Sequence, residues 1–347
     1  MISAIIILSF LIFFHELGHF LMARLVGVKV EVFSIGFGKK LVCKEFKGTN
    51  WCISAIPLGG YVQMKGQDDL NPTLKNYDKD SYLFKTPFER ILILLGGPLF
   101  NFLLAFIIYL FIAFNGWPKL APVIGKVMPN SPASEVLKPN DKIVEINNKK
   151  IKSWDDIPTI IQQSEVLNIV VKRGNEYIKV TIKPKIEITK NIFNESIKRK
   201  VIGITPKGEI IKVYYSFFEA IKVAYDKFIN DSLLIVKGVQ KLITGAIGME
   251  NLSGPIGIVD VTSKVANLGL VPLLLLTALL SVNLGVLNLL PIPALDGGHI
   301  MFNLYEAIFK KEINEEIMYK LTIGGWVILG FLMLIGVYND ITRLIGG

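Results

Sequence analysis

Long stretches of this chain show no polar period at all. Ile2–Val26, Ile91–Phe114, Leu268–Leu290 and Leu321–Val337 are almost unbroken in apolar residues. Each has the ~17–25 residues that a bilayer-spanning helix needs. Between the first two the rhythm changes. Leu41–Phe46 and Trp51–Ile56 alternate around Lys47-Gly-Thr-Asn50, which predicts a β-hairpin. Pro57-Leu-Gly-Gly-Tyr-Val-Gln-Met64 extends it, and the register sets Cys43 nearly opposite Cys52. Strand backbone near membrane depth is tolerated only inside protein or along a cavity, so region 28–65 is expected to be membrane-associated, with a plain cytoplasmic hairpin as the alternative. From Pro122 to Pro184 short strands, turns and one helix over Asp155–Gln163 predict a separate soluble domain. Tyr214–Ile243 repeats apolar residues at three- and four-residue steps with charges between, so it is an interfacial or packing helix rather than a span, and Leu252-Ser-Gly-Pro-Ile-Gly-Ile258 after it reads as a Gly/Pro-punctuated turn.

Composition agrees with these rhythms. Of 347 residues, 51% are hydrophobic and 19% charged, which excludes disorder and an ordinary soluble domain. The net charge of +9 does not indicate a nucleic-acid partner, because no run of Arg interleaved with aromatics occurs. The cations lie instead in loops beside the spans. Lys29, Lys39, Lys40, Lys44, Lys47, Lys65, Lys75, Lys79, Lys85 and Arg90 fall between the first two, which places that loop in the cytoplasm. The domain after the second span and both termini then face outward. The first span has no basic leader and no small-residue cleavage site, so it is read as retained. Cys43 and Cys52 are too few for a disulfide framework and are expected as reduced, free or buried thiols on the cytoplasmic side.

The chain's three histidines are His15, His19 and His299. His15-Glu16-Leu17-Gly18-His19 lies inside the first span, where ionisable groups are costly and mark function. Residues four apart share a helix face, so both imidazoles can hold one metal ion, with Glu16 beside them as general base. Two imidazoles and a carboxylate suit zinc. The third ligand is sought where Pro291 and Pro293 break the third span, just before Asp296-Gly-Gly-His299; Asp296 is favoured and His299 is its rival. A metal transporter would need ligands laddered across the bilayer, and a dead peptide-binding scaffold would be expected to lack a ligand or the base.

In the soluble domain, Pro129-Asn-Ser-Pro-Ala133, Leu137–Asn147 and Ser153-Trp-Asp-Asp156 resemble a PDZ domain of the bacterial protease type. Such domains take peptide by strand addition. With the His15–His19 motif, Asn288…Pro291-x-Pro293-x-Leu295-Asp296-Gly297, Gly59-Gly60-Tyr61-Val62 and Gly96–Asn101, the whole chain resembles the site-2 protease family of intramembrane zinc metalloproteases, of the bacterial RseP type. That resemblance implies a metalloendopeptidase with one Zn2+ held by His15, His19 and Asp296, and Glu16 as the catalytic residue. Asn288, Pro291, Pro293, Gly59, Gly60 and Tyr61 are implied to hold the unwound substrate. It implies substrates that are transmembrane segments of single-span proteins, such as anti-sigma factors or remnant signal peptides, in the bacterial inner membrane. Peptide C-termini at the PDZ-like domain are a further implied partner. Well-studied members carry two PDZ domains, whereas this chain has room for one.

The expected fold is therefore a polytopic α-helical membrane protein of about four transmembrane helices, a membrane-associated hairpin and one inserted PDZ-like α+β domain. Its segments are 1–27, the first helix; 28–65, the hairpin; 66–90, a cytoplasmic loop; and 91–116, the second helix. The PDZ-like domain is set at 120–186, followed by 187–266 with the amphipathic helix at 214–245. The third helix and its Leu-Asp-Gly motif take 268–299, a cytoplasmic loop 300–320, and the fourth helix 321–345.

Overall fold

A computed structural model describes residues 2–66, 77–191, 193 and 195–346. Residues 67–76 of the expected cytoplasmic loop, Lys75 among them, lie outside the described residues. The chain divides into two compact units, one made of Met1–Leu110 with Ala224–Gly347 and the other of Phe111–Val223.

In the first unit, α1 (Ile2–Leu25), α2 (Pro87–Asn115) and two later helices, Leu270–Asn288 and Glu316–Gly346, are long and apolar enough to cross a membrane. α1 and α2 meet backbone to backbone. A methyl group on Gly18 would collide with the Gly96 carbonyl, and one on Gly96 would strike Gly18. Small residues are what allow two helices this close an approach.

The hairpin consists of β1 (Val30–Phe46) and β2 (Thr49–Met64), joined by Lys47-Gly48. Both turn residues have positive φ, so this is a two-residue turn of the kind whose twist matches paired strands, shorter than the four-residue loop expected from sequence. The strands are long because the hairpin folds over on itself. Phe33–Ile35 faces Gly60–Val62 on one side and Trp51–Ile53 on the other. Gly36 and Gly38 take positive φ at the bend. The sheet docks on α1 through Phe33, whose ring lies 5.6 Å from Phe13 and 5.7 Å from Phe20, with Trp51 5.0 Å from Phe20. Cys43 and Cys52 are bonded to each other, which corrects the expectation of free thiols. They are direct cross-strand partners with Cα atoms 4.2 Å apart, so pairing follows from the register.

The second unit is β-rich. It contains β3 (Trp117–Leu120), β4 (Ile124–Val127), β5 (Lys142–Ile146), β6 (Lys149–Lys150), α3 (Asp156–Gln163), β7 (Leu167–Arg173) and β8 (Glu176–Ile182). β9 (Lys185–Lys190), β10 (Ser196–Val201), β11 (Ile204–Pro206) and β12 (Ile210–Val213) follow. The largest sheet has the order β6-β5-β7-β8, while β11 pairs with β4, β12 with β3, and β10 with β9. Ile143, Ile146, Ile157, Ile161, Leu167, Ile169 and Ile202 share one core. Ile202 lies beyond the boundary at 186 expected from sequence; β11 and β12 pair with β4 and β3, so the unit's strands run on to Val213. Asp141 is fully buried and accepts two hydrogen bonds of 2.8 Å from Arg173, plus one from the Lys138 N–H. Burial alone would raise its pKa, but the guanidinium and the N–H outweigh burial and hold it below the ordinary carboxylate value.

The chain returns to the first unit along α4 (Phe217–Ile243), whose Asp231 accepts from Tyr109 of α2 and from Lys227. Then come α5 (Pro255–Ala266), α6 (Leu270–Asn288), α7 (Asp296–Phe309) and α8 (Glu315–Gly346). Two of these depart from the sequence reading. α5 replaces an expected Gly/Pro turn, with Pro255 in its first turn, where a missing N–H costs nothing. α7 occupies much of the expected loop at 300–320, because Leu295 caps a new helix directly after the proline break.

Candidate metal centre

His15 and His19 are buried on the face of α1 that meets α2, and Glu16 and Phe13 turn toward the hairpin. Asp296 reaches the same point from the first residue of α7. The break that delivers it is tightly built. Ile292 N–H donates to Leu290 O and Leu295 N–H to Ile292 O, while Gly297 and Gly298 lie so close to the carbonyls of Leu289, Leu290 and Ile292 that any side chain there would collide. Pro291 and Pro293 stop α6 from continuing through this loop. At its other end α7 is held to α2 by Arg90, whose Nη1 and Nη2 each donate across 3.0 Å to Glu306.

The three donor groups converge. His15 Nε2 and His19 Nε2 are 3.2 Å apart, and Asp296 oxygens lie 3.3 Å from His15 Nε2 and 3.5 Å from His19 Nε2. These carboxylate distances are long for ion-paired hydrogen bonds, which run ~2.7–2.9 Å. They match instead the edges of a tetrahedron around zinc, which are about 3.3–3.4 Å when ligand atoms lie ~2.0–2.1 Å from the ion. Asp296 Oδ2 is buried with no hydrogen-bond partner. A buried carboxylate oxygen left bare is costly unless a cation faces it. The donor set, its spacing and the bare oxygen all fit zinc.

Both imidazoles are anchored from behind. His19 Nδ1–H donates to Ile93 O at 2.9 Å, which fixes the proton on Nδ1 and turns the Nε2 lone pair toward the cluster. His15 Nδ1 lies 3.0 Å from the Asn101 side-chain amide. Between these two contacts sits Gly97, where a methyl group would collide with His19 Nε2 and His15 Cε1. Ile93, Gly97 and Asn101 are spaced at four-residue steps, so one stripe of α2 forms the back wall of the centre. The sequence reading noted Gly96–Asn101 without giving the stripe a role. Its four-residue spacing was the available signal.

His299 stands apart. Its ring packs at 5.8 Å against Phe302, and among the described residues the convergent donor group is His15, His19 and Asp296. Glu16 borders β2: a methyl group on Gly60 would lie 3.4 Å from Glu16 Cγ and 2.8 Å from Ser34 O. Gly59 has positive φ and lies against the Phe37 ring, which stacks on Tyr61 at 6.2 Å. Asn288 is the last residue of α6, and Pro291 is exposed in the loop that follows.

Known proteins resemble this chain over nearly its whole length. A Campylobacter jejuni protein bearing a zinc-metalloprotease name is 47% identical over 346 residues, covering 99% of this chain and 94% of its own length. The Regulator of sigma-W protease RasP of Bacillus subtilis is 31% identical over 424 residues, covering 99% and 98%. Among solved structures, the PDZ domain of an SdrC-like protein from Listeria monocytogenes is 24% identical, with a TM-score of 0.20, and covers 24% of this chain and 84% of its own. Residues 3–332 match the family described as Peptidase family M50, and the chain belongs to that family.

Proposed function

We propose that His15, His19 and Asp296 hold the catalytic zinc of this intramembrane metalloendopeptidase, that Glu16 is its general base, and that it cleaves transmembrane segments of single-span proteins. The observation that supports the ligand set most is the spacing of the three donors, long for charge-assisted hydrogen bonds and right for co-ligands. The ion, when bound, supplies Lewis-acid polarisation of the scissile carbonyl and activation of water. Glu16, between the cluster and β2, takes the proton of the attacking water and returns it to the leaving amine. Asn288 donates to the developing oxyanion.

A helical substrate hides its carbonyls in its own hydrogen bonds and must unwind first. Gly60–Val62 pairs with Phe33–Ile35 along one edge, so an extended substrate can add along its other edge, flanked by Gly59, Gly60 and Tyr61. Pro291 and Pro293 keep the opposite wall non-helical, with backbone groups free to pair with the substrate.

The protein is assigned to the bacterial cytoplasmic membrane, with both termini and the β-rich unit on the periplasmic or extracytoplasmic side. The Lys-rich segment between α1 and α2 supports that orientation, and the Cys43–Cys52 bond in the same segment counts against it. In the β-rich unit, the Gln162 side chain of α3 donates to Lys200 O and accepts from Lys200 N–H of β10. A peptide C-terminus that adds to this strand edge displaces Gln162, so peptide binding there is weak or conditional.

The test is cleavage of a single-span substrate by the purified full chain in detergent, wild type beside Glu16→Gln, with zinc measured on both. Cleavage by wild type alone at equal zinc supports the assignment. Equal cleavage by both removes Glu16 from its role.

A further inference from the structure

We infer that Asn101 is a positioning residue for the zinc site: its side-chain amide holds the His15 ring so that Nε2 faces the ion. The inference rests on the proposed ligand role of His15 and extends it to a residue with no part in that proposal.

Asn101 is fully buried in α2, and its Oδ1 has no hydrogen-bond partner. A buried amide with one bare end destabilises the fold relative to an apolar residue of the same size, so packing gives no reason for Asn here. The side chain does have one close polar neighbour, His15 Nδ1 at 3.0 Å. Its own turn of helix is pinned from α6, where the fully buried Ser281 donates its hydroxyl to Asn101 O at 2.7 Å. The amide is therefore fixed at the back of the ring.

The two ends of the amide read opposite tautomers of His15. With Nδ2 toward the ring, the amide donates, Nδ1 is the acceptor, and the neutral imidazole carries its proton on Nε2, pointing at Asp296. With Oδ1 toward the ring, Nδ1–H donates, and the Nε2 lone pair is free for a cation. A half-turn of the amide exchanges the two states without moving a heavy atom out of place. Metal binding selects the second state, because a metal ligand cannot keep its proton. His19 is fixed differently, by the Ile93 carbonyl, which can only accept. One ligand is thus locked in the metal-ready tautomer, and the other is held by a group that serves both the empty and the loaded centre.

The test is zinc affinity of the full chain in detergent, measured by chelator competition after stripping and reloading, with metal-free thermal midpoint and elution profile as fold controls. Asn101→Leu removes the acceptor and is expected to weaken zinc binding by ~10–100-fold with the fold intact. Asn101→Asp keeps an acceptor at Nδ1 and is expected to bind zinc as tightly as wild type or tighter. If Asn101→Leu does not fold, Asn101→Ala, which adds no bulk, replaces it with the same expected loss. Wild-type affinity in the apolar variant overturns the inference, and so does an equal loss in Asn101→Asp, which would mean the residue only packs. His15→Ala separates the two levels. If that variant keeps its zinc, the ligand assignment itself fails; if it loses zinc while Asn101→Leu does not, only the positioning role fails.

Discussion

The two units treat an inward-facing carboxylate in opposite ways. In the β-rich unit the buried carboxylate, Asp141, is met on both oxygens by Arg173 and again by a backbone N–H. Neither oxygen of that carboxylate is left bare. In the helical unit His15, His19 and Asn101 are buried around the partly buried Asp296, yet Asp296 Oδ2 and Asn101 Oδ1 are bare and the carboxylate stands too far from the imidazoles for strong pairing. A buried polar group that is fully paired is part of the fold. A cluster held close and left unpaired suits a cation, and this donor set fits zinc.

The sharpest way to break this comparison is to remove a donor. Asp296→Asn is expected to lower zinc affinity by at least ~100-fold and cleavage with it, as one of three ligands loses its charge. Bound zinc is measured after dialysis. Next comes Gly97→Ala, which adds a methyl group where the two imidazoles already are. It is expected to cost roughly 1–3 kcal/mol of stability from overpacking and to weaken zinc binding, with α5 and the β-rich unit unaffected. Hydrogen exchange mapped by segment checks both.

The β-rich unit offers the converse. Arg173→Leu leaves Asp141 buried and unpaired, and is expected to destabilise that unit by about 2–3 kcal/mol, below the ~3–5 kcal/mol of a fully buried pair because Arg173 keeps some contact with water. Zinc affinity should not move. The same pair gives a pH signature. Asp141 titrates below its unfolded value of ~3.9, so the folded unit gains stability above that pH and loses it as pH falls through the lower folded value. Protection factors at β5 and β7 amides, corrected for the pH dependence of intrinsic exchange, should therefore fall as pH drops below about 4 in wild type and change less in Asp141→Asn. The smallest effect is expected from His299→Ala, whose ring packs on Phe302 and stands outside the donor cluster; zinc stoichiometry should stay at the wild-type value.

The four spans and the His15–His19 pair were legible in the sequence because their signals are local: an unbroken apolar run, and two histidines one helical turn apart. Asp296 was only favoured from pattern, because its position depends on a proline loop whose path no period encodes. The back wall of the centre was missed, although Ile93, Gly97 and Asn101 carry a four-residue spacing. In a segment apolar on every side, one stripe does not stand out. α5 and α7 were read as turn and loop because Gly254-Pro255 and Asp296-Gly-Gly298 punctuate the chain at helix starts as well as at turns. The end of the PDZ-like domain was set too early, since Ile202, β11 and β12 join their partners across roughly 70–95 residues of chain, beyond the reach of local pattern.

The central claim is that the unpaired cluster, rather than any other group of polar residues, holds the ion. Zinc content of the purified full chain, compared among wild type, His15→Ala, Asp296→Asn and His299→Ala at matched fold integrity, tests it most directly. The account predicts one zinc per chain in wild type and His299→Ala, with loss in the other two. Zinc retained in Asp296→Asn and lost in His299→Ala would contradict it and move the third ligand one turn along α7.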